Sequence, residues 1–165
     1  DATEIGEVWF IVSPQSPFKR SSKSLIHEFD RYDMVQAAIE DNERMKVSDI
    51  EFNLPKPSYT IDTLTYLSDK YREHEFRLIM GSDNIQHFHK WKNHEQIIKN
   101  YSLVIYERPG APREKNINGE WVEAPLMAIS ATYIRKKIKN GQSIKYLVPT
   151  RVIELIESRK LYLDQ

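Results

Sequence analysis

The 165-residue sequence contains no cysteine, which excludes disulfide bonds and thiolate metal sites. It has no apolar run long enough to span a bilayer, and its formal net charge of zero argues against a general binder of nucleic acids or membrane surfaces. His87 and His89 lie close together, but two histidines are too few for a zinc site, so no metal site is predicted. With 40% apolar and 29% charged residues, the sequence predicts one globular domain over residues 1–165.

Short apolar runs alternate with amphipathic segments along the chain. Strands are predicted at 7–13, near 45–52, at 76–82, from Tyr101 to the break at Pro109, and at 126–130. A helix is predicted at 24–40, where Leu25, Phe29, Tyr32, Val35 and Ile39 recur at helical spacing, and another after Pro57, with Ile61, Leu64, Leu67 and Tyr71 on one face. Further helices are predicted at 95–101, from about 130, and after Pro149. Residues 111–124 mix Pro, Gly, Asn and charges, which indicates an exposed loop. This alternation predicts an α/β domain with a mostly parallel sheet.

The segment "ISATYIRKK" (129–137) predicts a helix start that carries an unusual charge. Ser130 or Thr132 is the predicted N-cap, while Arg135 and the two lysines after it occupy the first turns, where acidic residues are usual. Residues 131–160 contain eight Lys or Arg against two Glu. Two hydroxyls, open helix amides and Arg135 together predict a phosphate site. The alternative is a surface helix whose cations point into solvent.

Two further segments offer positive charge or helix amides to an anion. The loop "SPQSPFKRSSK" after the first predicted strand presents Lys19, and a solvated basic turn is the alternative interpretation. At the helix start "PSYTIDTL", Ser58 and Thr60 can cap the helix or help its amides to receive an anion. Capping alone is the simpler interpretation of that segment in isolation.

The segment from 76 to 92 predicts contacts to a nucleotide. Ligands of a parallel sheet bind beyond the carboxyl ends of its strands, which is where "GSDN" falls. Gly81 permits a close backbone approach, and the Asp83 carboxylate suits a pair of ribose hydroxyls. Trp91 is either an ordinary core residue, the simpler interpretation, or a stacking surface for an aromatic ligand.

Taken together, these motifs resemble those of the bacterial nicotinate mononucleotide adenylyltransferases. "ISATYIR" is similar to the family's ISxTxxR signature, "PSYTIDTL" to its PSYT–T segment, and "LIMGSDN" with the downstream Trp to its GxD region. "ERPG" and "SPQSPFK" also have counterparts, in the same order and spacing. The resemblance covers nearly the whole chain. It implies a Rossmann-like nucleotidyltransferase fold and, in NAD synthesis, adenylyl transfer from ATP to nicotinate mononucleotide, giving deamido-NAD and pyrophosphate.

The resemblance also implies roles for individual residues. Arg135 and Lys19 would stabilise the charge that develops during catalysis, and Mg²⁺ would enter the site bound to ATP. The enzyme would be cytoplasmic, either as a monomer or as a homo-oligomer. The resemblance implies two ligands, ATP and nicotinate mononucleotide, and a set of binding residues for each. The residues implied for ATP are Ser130, Thr132, Arg135, Gly81 and Asp83, and those for nicotinate mononucleotide are Thr60, Trp91 and Lys92.

Two departures from the family pattern stand out. Phe18 replaces the usual His of the basic loop, and neither the first strand nor its HxGH motif is present. We therefore expect a fragment of a longer chain, or one whose start was not recorded, lacking a βα unit of roughly thirty residues or fewer. Two alternative functions stay open: adenylyl transfer to another small phosphate ester, such as nicotinamide mononucleotide or phosphopantetheine, and a non-catalytic nucleotide-binding module.

Overall fold

A computed structural model describes residues 3–15, 26–111, 113, 117–123, 125 and 129–163. The chain divides into two compact units. Unit 1 comprises Asp1–Glu4 and Tyr59–Met127, and unit 2 comprises Ile5–Ser58 and Ala128–Gln165. The expectation of a single domain over 1–165 stays a prediction. No helix in the described part of the chain combines the length and apolar character that a membrane span requires.

Along the described part of the chain, helices and strands mostly alternate, as predicted. In chain order they are β1 (Val8–Ile11), α1 (Glu28–Ile39), β2 (Met45–Ser48), α2 (Thr60–Lys70), β3 (Arg77–Gly81), α3 (Ser82–Ile85), α4 (His94–Asn100), β4 (Ser102–Tyr106), β5 (Glu120–Val122), α5 (Ala131–Lys139) and α6 (Thr150–Ser158). Short 3-10 helices at Ile50–Asn53 and Phe88–Lys90 complete the set. The pairings between the described strands β1 to β5 are parallel, which confirms the predicted α/β class.

Unit 1 is built on a three-stranded sheet in the order β3-β4-β5. Its central strand, β4, buries three consecutive apolar residues, Leu103, Val104 and Ile105, as expected for a strand that is covered on both faces. Helix α2 buries the face predicted from its spacing, with Ile61, Leu64 and Leu67 inward. The Ile97 side chain of α4 is also fully buried in unit 1.

Unit 2 contains the β1-β2 sheet and a helical core. That core joins Ile138 of α5 to residues of α6 and of the segment before it, namely Ile144, Val152 and Ile156. Helix α1 is present as predicted, but it buries no residue fully, and Phe29, part of the spacing that predicted it, is 57% exposed. The helix packs instead through Met34, Ala37 and Ala38, whose small or flexible side chains allow close approach.

Two predictions between 111 and 130 need correction or fall outside the described residues. The predicted loop at 111–124 contains β5, which pairs with β4 and places Trp121 against the core of unit 1. A three-residue strand inside a polar segment has no usable periodicity, so the sequence did not reveal it. Of the strand predicted at 126–130, the first three residues lie outside the described residues, and Ile129 and Ser130 belong to no strand.

Candidate functional site

The start of α5 has the arrangement expected of a phosphate site. Ser130 is the N-cap, as predicted, and its Oγ accepts a hydrogen bond from the Tyr133 amide at 3.1 Å. The first two amides of the helix, those of Ala131 and Thr132, have no intrahelical acceptor. The Arg135 Nη2 atom donates to the Thr132 Oγ1 atom at 3.3 Å. A guanidinium, a hydroxyl and two amides therefore lie at one end of this helix, and all can donate to an anion.

The position of Arg135 differs in one respect from the sequence interpretation. It is the fifth residue of α5, just beyond the first turn, so its charge is less opposed by the helix dipole than the sequence suggested. Helical side chains point toward the N-terminus, which explains how the guanidinium reaches back to Thr132. Within the described residues Arg135 forms no ion pair. Its charge is therefore available to a ligand.

At the start of α2, no side chain accepts a hydrogen bond from the first amides of the helix. Tyr59 is the N-cap, and no side chain accepts from the first turn, so the predicted capping by Ser58 or Thr60 is wrong. Thr60 is instead the first helical residue, and its amide and that of Ile61 have no intrahelical acceptor. The Ser58 hydroxyl is buried and has no hydrogen-bond partner among the described residues. This helix start favours an anion more than the sequence alone indicated.

The segment Trp91–Lys92 lies against the start of α2 in unit 1. Trp91 is half-buried and packs against the core of unit 1, where its ring meets that of Phe88 edge-on at a centroid distance of 5.3 Å. The Lys92 Nζ atom lies 2.8 and 3.0 Å from the two carboxylate oxygens of Asp62 and 4.7 Å from the centre of the Tyr59 ring. The structure thus brings together the start of α2 and the Trp91–Lys92 segment, both of which the sequence had marked as candidate binding segments.

Gly81 and Asp83 lie at the carboxyl end of β3, where the sequence placed them. Gly81 is the last residue of the strand, and Asp83 lies in the first turn of α3. The Oδ1 atom of Asp83 is 3.8 Å from the Nε atom of Arg108. A Cβ on Gly81 would collide with that Oδ1 atom and lie 3.0 Å from Cγ of Arg108, so the glycine makes room for the ion pair. About half of the Asp83 side chain stays exposed and open to a ligand.

Sequence reasoning missed Ser82 and Arg108, which organise the same edge of the sheet. The buried Ser82 hydroxyl donates to the Ala111 carbonyl at 2.9 Å and accepts from the Arg108 amide at 2.8 Å. These bonds hold the turn after β4 against the end of β3. A usable signal was present, because Arg108 is the last residue before the predicted strand break at Pro109, at the carboxyl end of that strand.

In unit 2, Arg31 was also missed. Its guanidinium donates to the backbone carbonyls of Ser13 at 2.7 Å, Pro14 at 3.4 Å and Ile26 at 3.2 Å. Burial lowers the pKa of Arg31 below its ordinary value. The side chain therefore satisfies carbonyls on both sides of the basic segment. Lys19 itself lies outside the described residues.

Comparison with known proteins decides what family this fold and these residues belong to. The cytidylyltransferase-like family model matches residues 2–137. A relative from Cytophaga hutchinsonii, named "Probable nicotinate-nucleotide adenylyltransferase", is 56% identical over 165 residues, covering 98% of this chain and 85% of its own length. This chain belongs to the nicotinate-nucleotide adenylyltransferase family.

Other members and solved structures agree with that assignment. A nicotinate-nucleotide adenylyltransferase relative from Flavobacterium johnsoniae, also named "Probable", is 40% identical, covering 96% of this chain and 84% of its own length. The solved nicotinic acid mononucleotide adenylyltransferase of Plasmodium falciparum, complexed with NaAD, has a TM-score of 0.77 at 20% identity. That match covers 95% of this chain and 82% of that one. The structural likeness confirms the Rossmann-like fold that the family resemblance implied.

Proposed function

We propose that this protein transfers the adenylyl group of ATP to nicotinate mononucleotide, forming deamido-NAD and pyrophosphate for NAD biosynthesis. The observation that carries this proposal is the 56% identity, over 98% of the chain, to the Cytophaga relative of that name. The geometry of α5 supports it, because two free helix amides, the Thr132 hydroxyl and the Arg135 guanidinium, which forms no ion pair with a described residue, suit a phosphate-rich substrate. The enzyme is a nucleotidyltransferase rather than a passive binding module.

In the proposed reaction, a phosphate oxygen of nicotinate mononucleotide attacks the α-phosphorus of ATP. The new oxygen–phosphorus bond forms as the bond breaks between the α-phosphorus and the oxygen that bridges the α- and β-phosphates. Pyrophosphate leaves with the electron pair of the broken bond. No covalent enzyme intermediate is involved, so the protein contributes by positioning the two phosphates and stabilising the charge that develops.

Unit 2 supplies the proposed phosphate contacts. The Thr132 hydroxyl and the Arg135 guanidinium would donate to ATP phosphate oxygens, together with the open amides that follow Ser130. Arg135 is the strongest of these groups because its charge is not used within the described protein. From the family resemblance we propose that Lys19 neutralises phosphate charge as well.

Unit 1 supplies the proposed ribose and nicotinate contacts. The half-exposed Asp83 carboxylate would accept from a pair of ATP ribose hydroxyls. From the family resemblance we propose that ATP also lies against the backbone at Gly81. The open amides at Thr60 would receive the nicotinate carboxylate, with the Trp91 ring and Lys92 beside them. Amides satisfy a carboxylate fully, whereas a carboxamide would turn its NH₂ group toward donors.

Nucleotidyltransferases of this kind generally use Mg²⁺ with ATP. No cluster of three or more His, Asp or Glu able to hold a metal occurs within the described ranges. We propose that Mg²⁺ enters bound to the ATP phosphates, and that the enzyme works in the cytoplasm. Light scattering of the full native chain would measure whether it forms a homo-oligomer.

A substrate panel tests the proposal. ATP is offered with nicotinate mononucleotide, nicotinamide mononucleotide or phosphopantetheine, and pyrophosphate release is followed for the full native chain. Each donor that the amide leaves unpaired in the site costs about 1–3 kcal/mol, so two donors together cost about 2–6 kcal/mol. Within that range we expect a preference for the acid in kcat/KM of about a hundredfold or more, which corresponds to at least about 2.8 kcal/mol. Faster turnover of either other substrate, or pyrophosphate release with none of them, would overturn the assignment.

A further inference from the structure

The ion pair between Lys92 and Asp62 occupies a place that matters for acid-versus-amide selection. Asp62 is the one acidic residue in the first turn of α2, two residues after Thr60. Lys92 follows Trp91 directly and contacts both Asp62 oxygens, at 3.0 and 2.8 Å. The pair therefore joins the two segments that receive the nicotinate half in the proposed function, on which this inference rests.

An unpaired Asp62 would favour the wrong substrate. Its negative charge would repel the nicotinate carboxylate, and its oxygens would accept from the NH₂ group of the carboxamide analogue. Both effects act in the same direction, toward the amide. A carboxylate that already faces an ammonium group repels a second anion less and is a poorer acceptor for a neutral amide.

The surroundings of Lys92 hold its ammonium group at this position. Nζ lies 4.7 Å from the centre of the Tyr59 ring, within the range of a cation–π contact, while it bonds to Asp62. The side chains of Lys92 and Asp62 remain 42% and 49% exposed. Exposed ion pairs contribute little to folding stability, so stability alone does not account for the arrangement.

We propose that Lys92 is a specificity-determining residue that acts through Asp62. By neutralising the only carboxylate in the first turn of α2, it removes the acceptor that would otherwise favour nicotinamide mononucleotide. The proposal differs from a direct contact between Lys92 and the substrate carboxylate, because it requires Asp62 to be present for Lys92 to matter.

A double-mutant cycle separates the two possibilities. The proteins are wild type, Lys92→Met, Asp62→Ala and the double variant, each assayed as the full chain with ATP and either mononucleotide, with melting curves to check folding. The measured quantity is the ratio of kcat/KM for the acid to that for the amide. Lys90→Met is the matched control, since Lys90 is an exposed lysine two residues earlier. Lys92→Gln serves as a second neutral variant.

We expect Lys92→Met to lower the ratio about tenfold, which corresponds to about 1.4 kcal/mol, and Lys90→Met to leave it unchanged. Asp62→Ala alone should not lower the ratio, and adding it to Lys92→Met should restore most of the lost selectivity. An unchanged ratio in Lys92→Met, or a double variant as unselective as Lys92→Met, overturns the proposal. Wild type that uses neither mononucleotide would instead refute the proposed function itself.

Discussion

Replacing Arg135 with Ala tests the phosphate site of α5 most directly. The guanidinium reaches back to the start of the helix and bonds to the Thr132 Oγ1 atom at 3.3 Å, with no ion pair in the described residues. A donor aimed at charge that develops in the transition state contributes about 2–4 kcal/mol. We therefore expect kcat/KM to fall by roughly 30- to 1,000-fold.

The same substitution should leave stability almost unchanged. It removes one hydrogen bond at the protein surface, and Arg135 is only half-buried. Surface changes of this kind usually alter the free energy of unfolding by no more than about 0.5 kcal/mol. Burial raises the pKa of the Tyr162 hydroxyl, and the positive charge of Arg135 partly opposes that rise. Removing Arg135 therefore raises this pKa further, so the phenol stays neutral. A loss of activity without a change in melting temperature would thus report on catalysis.

Lys136→Ala is the matched control for this experiment. Lys136 is the next residue of the same helix and is exposed, so its removal changes the net charge equally without touching Thr132. Both variants are assayed by pyrophosphate release with ATP and nicotinate mononucleotide, at matched ionic strength. Wild-type turnover in Arg135→Ala would refute the phosphate role. An equal loss in Lys136→Ala would show a general field effect instead of a specific contact.

Three further predictions concern the pyridine site, the core and pH. Trp91→Ala should lower kcat/KM for both mononucleotides by a similar factor, because stacking does not distinguish the rings; a changed acid-to-amide ratio would contradict this. Gly119→Ala places a Cβ 2.9 Å from Cδ1 of Ile105 and should destabilise the fold by about 1–3 kcal/mol in denaturant melts, whereas Gly6→Ala, with nothing within 4 Å, should not. A hydrogen bond from its own backbone amide lowers the pKa of Glu28 from 4.5 in the folded protein. The greater stability of wild type relative to Glu28→Gln should therefore be fully present above about pH 4.5 and be lost as the pH falls further. A difference in melting temperature that does not depend on pH would be evidence against it.

The local sequence determined most of the elements and the family. Apolar spacing predicted α2 with Ile61, Leu64 and Leu67 inward, because a helix buries one face and its period is visible in the chain. The order of the strands and of the motifs placed Gly81 and Asp83 at the carboxyl end of a strand, where ligands of parallel sheets bind. The N-cap at Ser130 could be predicted from the neighbouring residues alone, because capping depends on local sequence.

The tertiary structure alone decided which side chains meet. Lys92 and Asp62 are 30 positions apart, and no local pattern could pair them. The same holds for Arg31 with the carbonyls near the end of β1, and for β5, whose strand character comes from pairing with β4. Such contacts depend on the distance between segments after folding, a quantity that periodicity and capping do not encode. Helix starts and strand ends were therefore visible in the sequence, and the partners that tune them were not.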